Sequence, residues 1–370
     1  MTHWTRRTFM ACASASGILQ MKPLVAAVRN TSFDEAAKLL EQSVASGQVR
    51  AASLFVQSGE TQFARTFGEA KTTNAAFLLG SISKPIAIAA LMTLYDKGLF
   101  ELNELAQKYL PEFKGKWRDR VTMQHLLTHT SGLPDQLPQN AELRSQHAKL
   151  SDFVSGALQV PLHFEPGTKY EYSSMAILLA AEIAQRLSGT DIKQLVQQTV
   201  LEPLGMRDSA LGTGTLEPEQ MMKCQVEFGA VESGAGSPES KNWDWNSLFW
   251  RELGAPWGGQ HASAADVAKF LYEFLHPTGK LFKPEVAALM VRNHNATGLE
   301  SRGLGFDVGM EAYCSNCSAS TFGHTGSTGT IAWADPERDL ICVVLTSLPA
   351  RALVDGTHPR QLASNCVSAM

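Results

Sequence analysis

Ser81 and Lys84 stand three residues apart in Gly80-Ser-Ile-Ser-Lys-Pro85, at the head of the apolar run Ile86 to Leu94. On a helical turn that spacing puts both side chains on one face, within reach of each other. A serine hydroxyl is a poor nucleophile until a neighbouring base takes its proton. Lysine serves as that base only when neutral; its ordinary pKa is about 10.4, and burial beside the positive end of a helix lowers it by roughly 3–5 units. The backbone N–H of a serine at a helix start is also free to stabilise a developing oxyanion. Together these groups point to acyl transfer through a covalent serine intermediate. With 30 Ser and 16 Lys in 370 residues, however, about one S-x-x-K arises by chance. Taken alone, the pair reads as a helix cap followed by a surface lysine, and its chemistry depends on the rest of the chain.

Other reactive side chains are soon sorted. His125 and His129 have the i, i+4 spacing of a zinc helix, but Leu126 stands where a metalloprotease carries its glutamate base. They read as histidines near a helix end stopped by Gly132, and no metal is expected. Cys314-Ser-Asn-Cys317 lacks the second pair or the histidines of a zinc site; it is a short-loop disulfide or two reduced thiols. Leu304-Gly-Phe-Asp-Val-Gly does not complete a dinucleotide fingerprint, because Val308 takes the last glycine's place. No cofactor is expected. Tyr170 and Tyr172 sit just before an apolar helix, where a tyrosine ordinarily packs its ring and hydrogen-bonds its tip.

A chain 44% hydrophobic and 18% charged has the balance of a soluble globular enzyme, and a net charge of -4 gives no basic footprint for nucleic acid. No run approaches the roughly 18 apolar residues of a membrane helix. Residues 1–30, with Thr5-Arg-Arg-Thr-Phe-Met10 ahead of small and apolar residues ending Val25-Ala-Ala27, resemble a bacterial twin-arginine export signal cleaved after Ala27. Such a signal places the protein outside the cytoplasm, in the periplasm.

The elements that must position the serine follow from the pattern. Pro85 is tolerated only in a first turn, so the buried helix starts just upstream of it, and Gly98 stops it. The residue before proline avoids the α region, so Lys84 is an exception or the first turn is irregular. A helix is predicted from Phe33 to Ser46, then a hairpin of Ala52 to Gln57 and Phe63 to Phe67. Further helices are predicted over 140–160, Ala176 to Leu187 and Ser263 to Leu275. Leu304 to Gly309 reads as a strand; Phe322 to Trp333 and Leu340 to Thr346 read as a second hairpin turning at Asp335-Pro336. Leu211 to Gly259 is rich in Gly, Ser and Pro and holds four of the 7 tryptophans, either a binding wall or a packed excursion. The fold class is α+β: an antiparallel sheet built from both chain ends and flanked by helices, with a mostly helical lobe inserted. One catalytic domain is expected over 31–350, with an α/β lobe at about 31–99 and 290–350, a helical lobe at about 100–289, and a C-terminal segment at 351–370.

The succession Gly80-Ser-Ile-Ser-Lys84, His125-Leu-Leu-Thr-His-Thr-Ser-Gly-Leu133, Pro166-Gly167 leading to Tyr172-Ser-Ser174, Gly258-Gly259 and His324-Thr-Gly326 resembles the serine β-lactamase-related hydrolases. The nearest branch holds class C β-lactamases, D-alanyl-D-alanine peptidases and esterases, and order and spacing agree from about Phe33 to Ser347. The resemblance implies the β-lactamase/transpeptidase-like fold. It implies Ser81 as acylated nucleophile, Lys84 as its proton acceptor and Tyr172 as proton shuttle, with the amides of Ser81 and Ser327 as oxyanion hole. Ser174, His324, Thr325 and Gly326 would contact a small acyl substrate. Two departures, Ser174 for an asparagine and His324 for a lysine, weaken recognition of a β-lactam or peptide carboxylate and fit esterases better, since a histidine near pH 7 is mostly neutral. Arg351 reads as a solvated surface arginine. A cell-wall peptidase and a catalytically inert ligand-binding relative are the competing readings.

Overall fold

Strands from both ends of the chain share one antiparallel sheet, as the two hairpins require. The computed structural model describes residues 21–309, 313–353 and 356–369, with side chains from residue 31; Thr5 to Gln20 of the expected export signal lie outside them. Helix α1 (Met21–Ala45) leads into the hairpin of β1 (Ala51–Ser58) and β2 (Thr61–Gly68). A short strand, β3 (Phe77–Leu78), precedes a 3-10 turn at Gly80–Ile82 and helix α2 (Ser83–Asp96). The helical lobe then builds α3 (Met123–Leu127), α4 (Asn140–Ser145), α5 (Leu150–Gln159) and α6 (Ser174–Ser188). Helix α7 (Ile192–Val196) runs through a π turn at Gln197–Leu201 into α8 (Glu202–Leu204), followed by β4 (Ser209–Leu211). After three 3-10 turns come α9 (Leu248–Leu253), β5 (Gln260–Ala262), α10 (Ala264–Leu275) and α11 (Pro284–Met290). The chain closes with β6 (Asp307–Val308), β7 (Phe322–Gly326), β8 (Thr330–Asp335), β9 (Leu340–Thr346) and α12 (Pro359–Ser368).

The large sheet has the order β2-β1-β9-β8-β7-β6. Alternate residues of its central strands face opposite layers. Leu54, Val56, Trp333, Cys342 and Val344 pack with Phe33 and Leu40 of α1 and Val367 of α12. Phe55, Phe322, Ala332, Ile341 and Val343 join the larger core that holds α2, α6 and α10. Both faces being covered, β8 and β9 are apolar runs without a polar alternate, and the Trp333 indole N–H donates to Ser364 Oγ at 2.8 Å to tie α12 down. Among the described residues no helix is long and apolar enough to cross a membrane.

Four elements differ from the sequence-based expectation. The strand expected from Phe322 to Trp333 is two, β7 and β8, because Gly329 (φ +100°) turns the chain back so that Gly326 pairs with Thr330. The first helix begins at Met21 rather than near Phe33. The helix expected over 140–160 is two, because His147 adopts a left-handed conformation (φ +52°) and Asp152 reaches back to the Lys149 amide at 2.8 Å to start a new helix. The strand expected over Leu304 to Gly309 shrinks to Asp307–Val308, since Gly305 has φ +82° and gives its N–H to Leu127 O. Cys314 and Cys317 are joined as a disulfide.

Candidate active site

Lys84 is buried at the first turn of α2, and its Nζ lies 3.0 Å from Ser81 Oγ and 2.9 Å from the carbonyl of Trp257. The irregular start anticipated from Pro85 is the 3-10 turn at Gly80–Ile82, which runs directly into the α-helix, and Lys84 is helical in spite of the following proline. Ser83 Oγ locks this turn, donating to Gly80 O at 2.6 Å and accepting from the Gln260 amide at 2.9 Å. Burial pulls the Lys84 pKa down to about 7; the field of Asp135 opposes that fall, and Arg302 assists it. The amine donates to Trp257 O, and at 3.0 Å from Ser81 Oγ its neutral form is within reach to accept the hydroxyl proton.

A small three-stranded sheet, β3-β5-β4, delivers the chain to this turn, with the Leu79 amide donating to Gln260 O. The turn then packs against the β7–β8 connection closely enough that glycine is required twice. A Cβ on Gly326 would stand 2.1 Å from Leu79 O, and one on Gly80 (φ +56°) would meet Thr328 Oγ1 at 2.9 Å and the Ser327 amide nitrogen at 3.2 Å. Thr328 and Thr330 fasten the two segments through their hydroxyls to Leu78 O and Leu79 O, each at 2.7 Å. This approach is what sets Ser327 beside Ser81 in one cavity.

Tyr172 precedes α6, whose N-cap Ser173 accepts from the Ala176 amide and donates to Pro134 O, both at 2.9 Å. His129, at φ +59°, accepts from the Ser173 amide at 3.1 Å and packs its ring 4.6 Å from that of Tyr172. The two histidines therefore act in packing: His125 closes a capping box with Thr122. The Tyr172 ring is half-buried but its hydroxyl is sealed from solvent and forms no full hydrogen bond. Burial pushes the phenol pKa well up, tempered by Arg302 and by the nearby Ser81 hydroxyl. Lys84 Nζ stands 4.7 Å from the ring centre and the Arg302 guanidinium 5.4 Å.

A cavity of about 120 Å³ is lined by Ser81, Tyr172, Ser174 and Ser327, and also by Asp135, Arg144, Glu232 and three tryptophans, Trp245, Trp250 and Trp257. The Leu211 to Gly259 excursion thus supplies a wall of the site. Not every expected contact faces the cavity. Ser174 lines it, but its hydroxyl and amide both donate to Asp135 Oδ1, at 2.6 and 2.9 Å. His324 differs from the expectation altogether: buried behind the cavity, it donates from Nδ1 to Thr325 O and accepts at Nε2 from Arg302, each at 2.7 Å. Burial and the charge of Arg302 hold it neutral, with a pKa well below the ordinary value. Thr325 and Gly326 are likewise absent from the cavity lining. Arg351 is exposed and bonds Phe228 O.

Sequence reasoning missed Asp135, Arg144, Glu232 and Arg302. Arg302 is 1% exposed, ion-paired with Asp307, and bridges His324 to the Tyr172 ring. Nothing in the spacing of these lone charged residues marks them; an arginine between Ser301 and Gly303 looks like surface until the sheet closes over it. With a hydroxyl beside a neutral-prone amine, and Ser81, Tyr172 and Ser327 lining one cavity, the arrangement has groups that nucleophilic acyl transfer uses.

Comparison with known proteins identifies the fold and the family. A candidate D-alanyl-D-alanine carboxypeptidase of Salmonella agona (strain SL483) is 26% identical over 307 residues, spanning 75% of this chain and 70% of that protein. A penicillin-binding protein homologue from Caulobacter crescentus superposes with a TM-score of 0.73 at 21% identity, covering 91% of this chain and 97% of its own. EstCE1, described as a hydrolase with promiscuous acyltransferase activity, gives 0.73 at 20% identity over 94% and 100%. The fold is therefore the β-lactamase/transpeptidase-like one. With the Beta-lactamase family model matching residues 36–364, most of its length, this chain belongs to the Beta-lactamase family.

Proposed function

We propose that this protein is a serine hydrolase that cleaves small esters through an acyl-enzyme on Ser81, with amides and β-lactams as further acyl donors. The observation that carries this reading is the 3.0 Å contact of Ser81 Oγ with an amine whose burial brings its pKa to about 7. Lys84 accepts the Ser81 proton as Oγ bonds to the acyl carbon, and the carbonyl oxygen takes the negative charge against the Ser81 and Ser327 amides. The ester C–O bond then breaks, and the departing alkoxide receives a proton from Lys84 through Tyr172. Water next adds to the acyl carbon, its proton returning along the same path. Release of Ser81 Oγ, which regains a proton, yields the carboxylic acid. Because burial raises the Tyr172 pKa, the phenol acts as a protonated relay between neighbours, and the base is the amine. Coupling between Lys84 and Tyr172 means that the pH profile belongs to the pair.

Esters stand ahead of β-lactams because Ser174 is spent on Asp135 and His324 is neutral and enclosed, so neither of these two positions is free to hold a lactam's amide or carboxylate. Kinship with a candidate D-alanyl-D-alanine carboxypeptidase supports a cell-wall peptidase as the second reading. The Arg6-Arg7 leader supports export to the periplasm, where either activity would operate. A fluorophosphonate probe should label wild type at Ser81 and leave folded Ser81→Ala unlabelled. Run side by side, p-nitrophenyl esters, nitrocefin and a D-alanyl-D-alanine peptide rank the substrate classes. A folded wild type that resists the probe and turns over none of them is the inert relative, and the proposal fails.

A further inference from the structure

Two opposite charges line the cavity in front of Ser81 without pairing. Arg144 is 1% exposed, its guanidinium lies 3.8 Å from the centre of the Trp250 ring, and its Nη1 has no hydrogen-bond partner. The Glu232 carboxylate, half-buried on the same wall, makes no hydrogen bond or ion pair among the described residues. Left free, a buried guanidinium and a nearby carboxylate would close on each other, because an unpaired buried charge is costly. One side chain holds them apart. Asn140 accepts from Arg144 Nε through Oδ1 and donates through Nδ2 to the Glu232 backbone carbonyl, both at 3.2 Å. Asn140 fixes one end of Arg144 and the backbone of the Glu232 turn, while the stack on Trp250 fixes the guanidinium.

We infer that this cavity is an acyl-group subsite for a zwitterionic, amino-acid head, with the ligand carboxylate on the Arg144 guanidinium and its ammonium between Glu232 and Asp135. The inference rests on the proposed acyl-enzyme at Ser81. A cavity of about 120 Å³ has room for such a head. Asp135 has one carboxylate oxygen committed to Ser174, which leaves the other to join Glu232 on the ammonium side. Trp245 and Trp257 complete an aromatic wall, whose low polarity strengthens both ion pairs. A purely anionic head would face two carboxylates, and a purely cationic one would leave Arg144 unpaired. The substrates implied are esters or amides formed at the side-chain carboxyl of an amino acid, so that the scissile carbonyl reaches Ser81 while the head fills the cavity.

Four methyl esters separate the charges: glutamate γ-methyl ester (both enantiomers), methyl 4-aminobutanoate, monomethyl glutarate and methyl butanoate, followed by methanol release. One charge-assisted hydrogen bond made to the head is expected to give about tenfold in kcat/KM, and the two together about a hundredfold for the glutamate ester over methyl butanoate. Arg144→Met should bring the glutamate ester down to the level of methyl 4-aminobutanoate, and Glu232→Gln should bring it toward monomethyl glutarate. Glu232 is partly exposed, so Glu232→Gln still decides the matter if Arg144→Met does not fold. Four esters within threefold of each other, or a singly charged ester equalling the glutamate ester, overturn the inference. Ser81→Ala, titrated with the glutamate ester and methyl butanoate by tryptophan fluorescence, reads the head without turnover. Selective binding there supports the subsite even if Ser81 is not the nucleophile, and equal binding sinks it even if wild type is an active esterase.

Discussion

Replacing Lys84 with methionine should abolish activity and make the protein more stable. The unfolded chain holds this lysine at a pKa of about 10.4 and the folded site holds it near 7. Between those values the unfolded state binds more protons than the native one, so native stability rises with pH across that window. Below about pH 7 both states carry the charge, and the native state bears the full cost of burying it. The difference of roughly 3.4 units corresponds to about 4–5 kcal/mol, of which about 4 kcal/mol is still present at pH 7. Methionine fills the same space without a charge. Its own cost is the two hydrogen bonds to Trp257 O and Ser81 Oγ, about 1 kcal/mol each. The net expectation is a gain of about 2 kcal/mol at pH 7, which for a chain of this length is a rise in Tm of roughly 2–3 °C. The assay is denaturation of both proteins by heat and by urea at half-unit steps from pH 6 to 10. Wild type should close the gap as pH rises from 7 and overtake the variant toward pH 10. A Lys84→Met protein less stable than wild type at pH 7, by a margin constant to pH 10, would mean that the amine is charged and paired, and the base proposed for Ser81 would be lost.

The kcat/KM of an ester substrate should rise through about pH 7 and level off above it, as the coupled Lys84–Tyr172 pair loses its first proton; a profile already flat from pH 5 excludes this amine as base. Tyr172→Phe should keep its fluorophosphonate labelling at a reduced rate and lose about 10²–10⁴-fold in ester turnover, the usual share of a proton shuttle. Gly326→Ala pushes a methyl to 2.1 Å from Leu79 O; urea denaturation should show a loss of about 2 kcal/mol or more together with reduced turnover, because Ser327 moves with the strand. Arg302→Met leaves Asp307 without its cation and His324 without its donor, and should cost about 3–5 kcal/mol by the same measurement.

Much of the fold could be read from periodicity because the apolar runs were unusually plain. The stretch Ile86 to Leu94 is apolar on every side and is buried on every side in α2, and the terminal hairpins have the apolar runs and turns that pair β1 with β2 and β8 with β9. The breaks were harder. Nothing in residues 140–160 announces the left-handed His147 that divides α4 from α5, and the alternation at Leu304 conceals the positive φ of Gly305. Both are backbone conformations chosen by tertiary packing over local preference.

For the site, the chain itself determined the local groups: a serine and a lysine one turn apart at a helix start, and a tyrosine ahead of the next buried helix. Whether the amine is dry enough to be neutral was decided by the surfaces that enclose it, since its burial is completed by segments as distant as that of Trp257, and the opposing field comes from Asp135. The same holds for the direction of each polar side chain. His324 and Ser174 occupy motif positions, yet Arg302 and Asp135 draw their polar atoms away, while Arg144 and Glu232, which no motif marks, stand unpaired in the cavity. Spacing along a chain fixes which neighbours a residue has within one turn. Groups far beyond one turn of each other along the chain meet only when the sheet and the helical lobe close, and that closure assigns their partners.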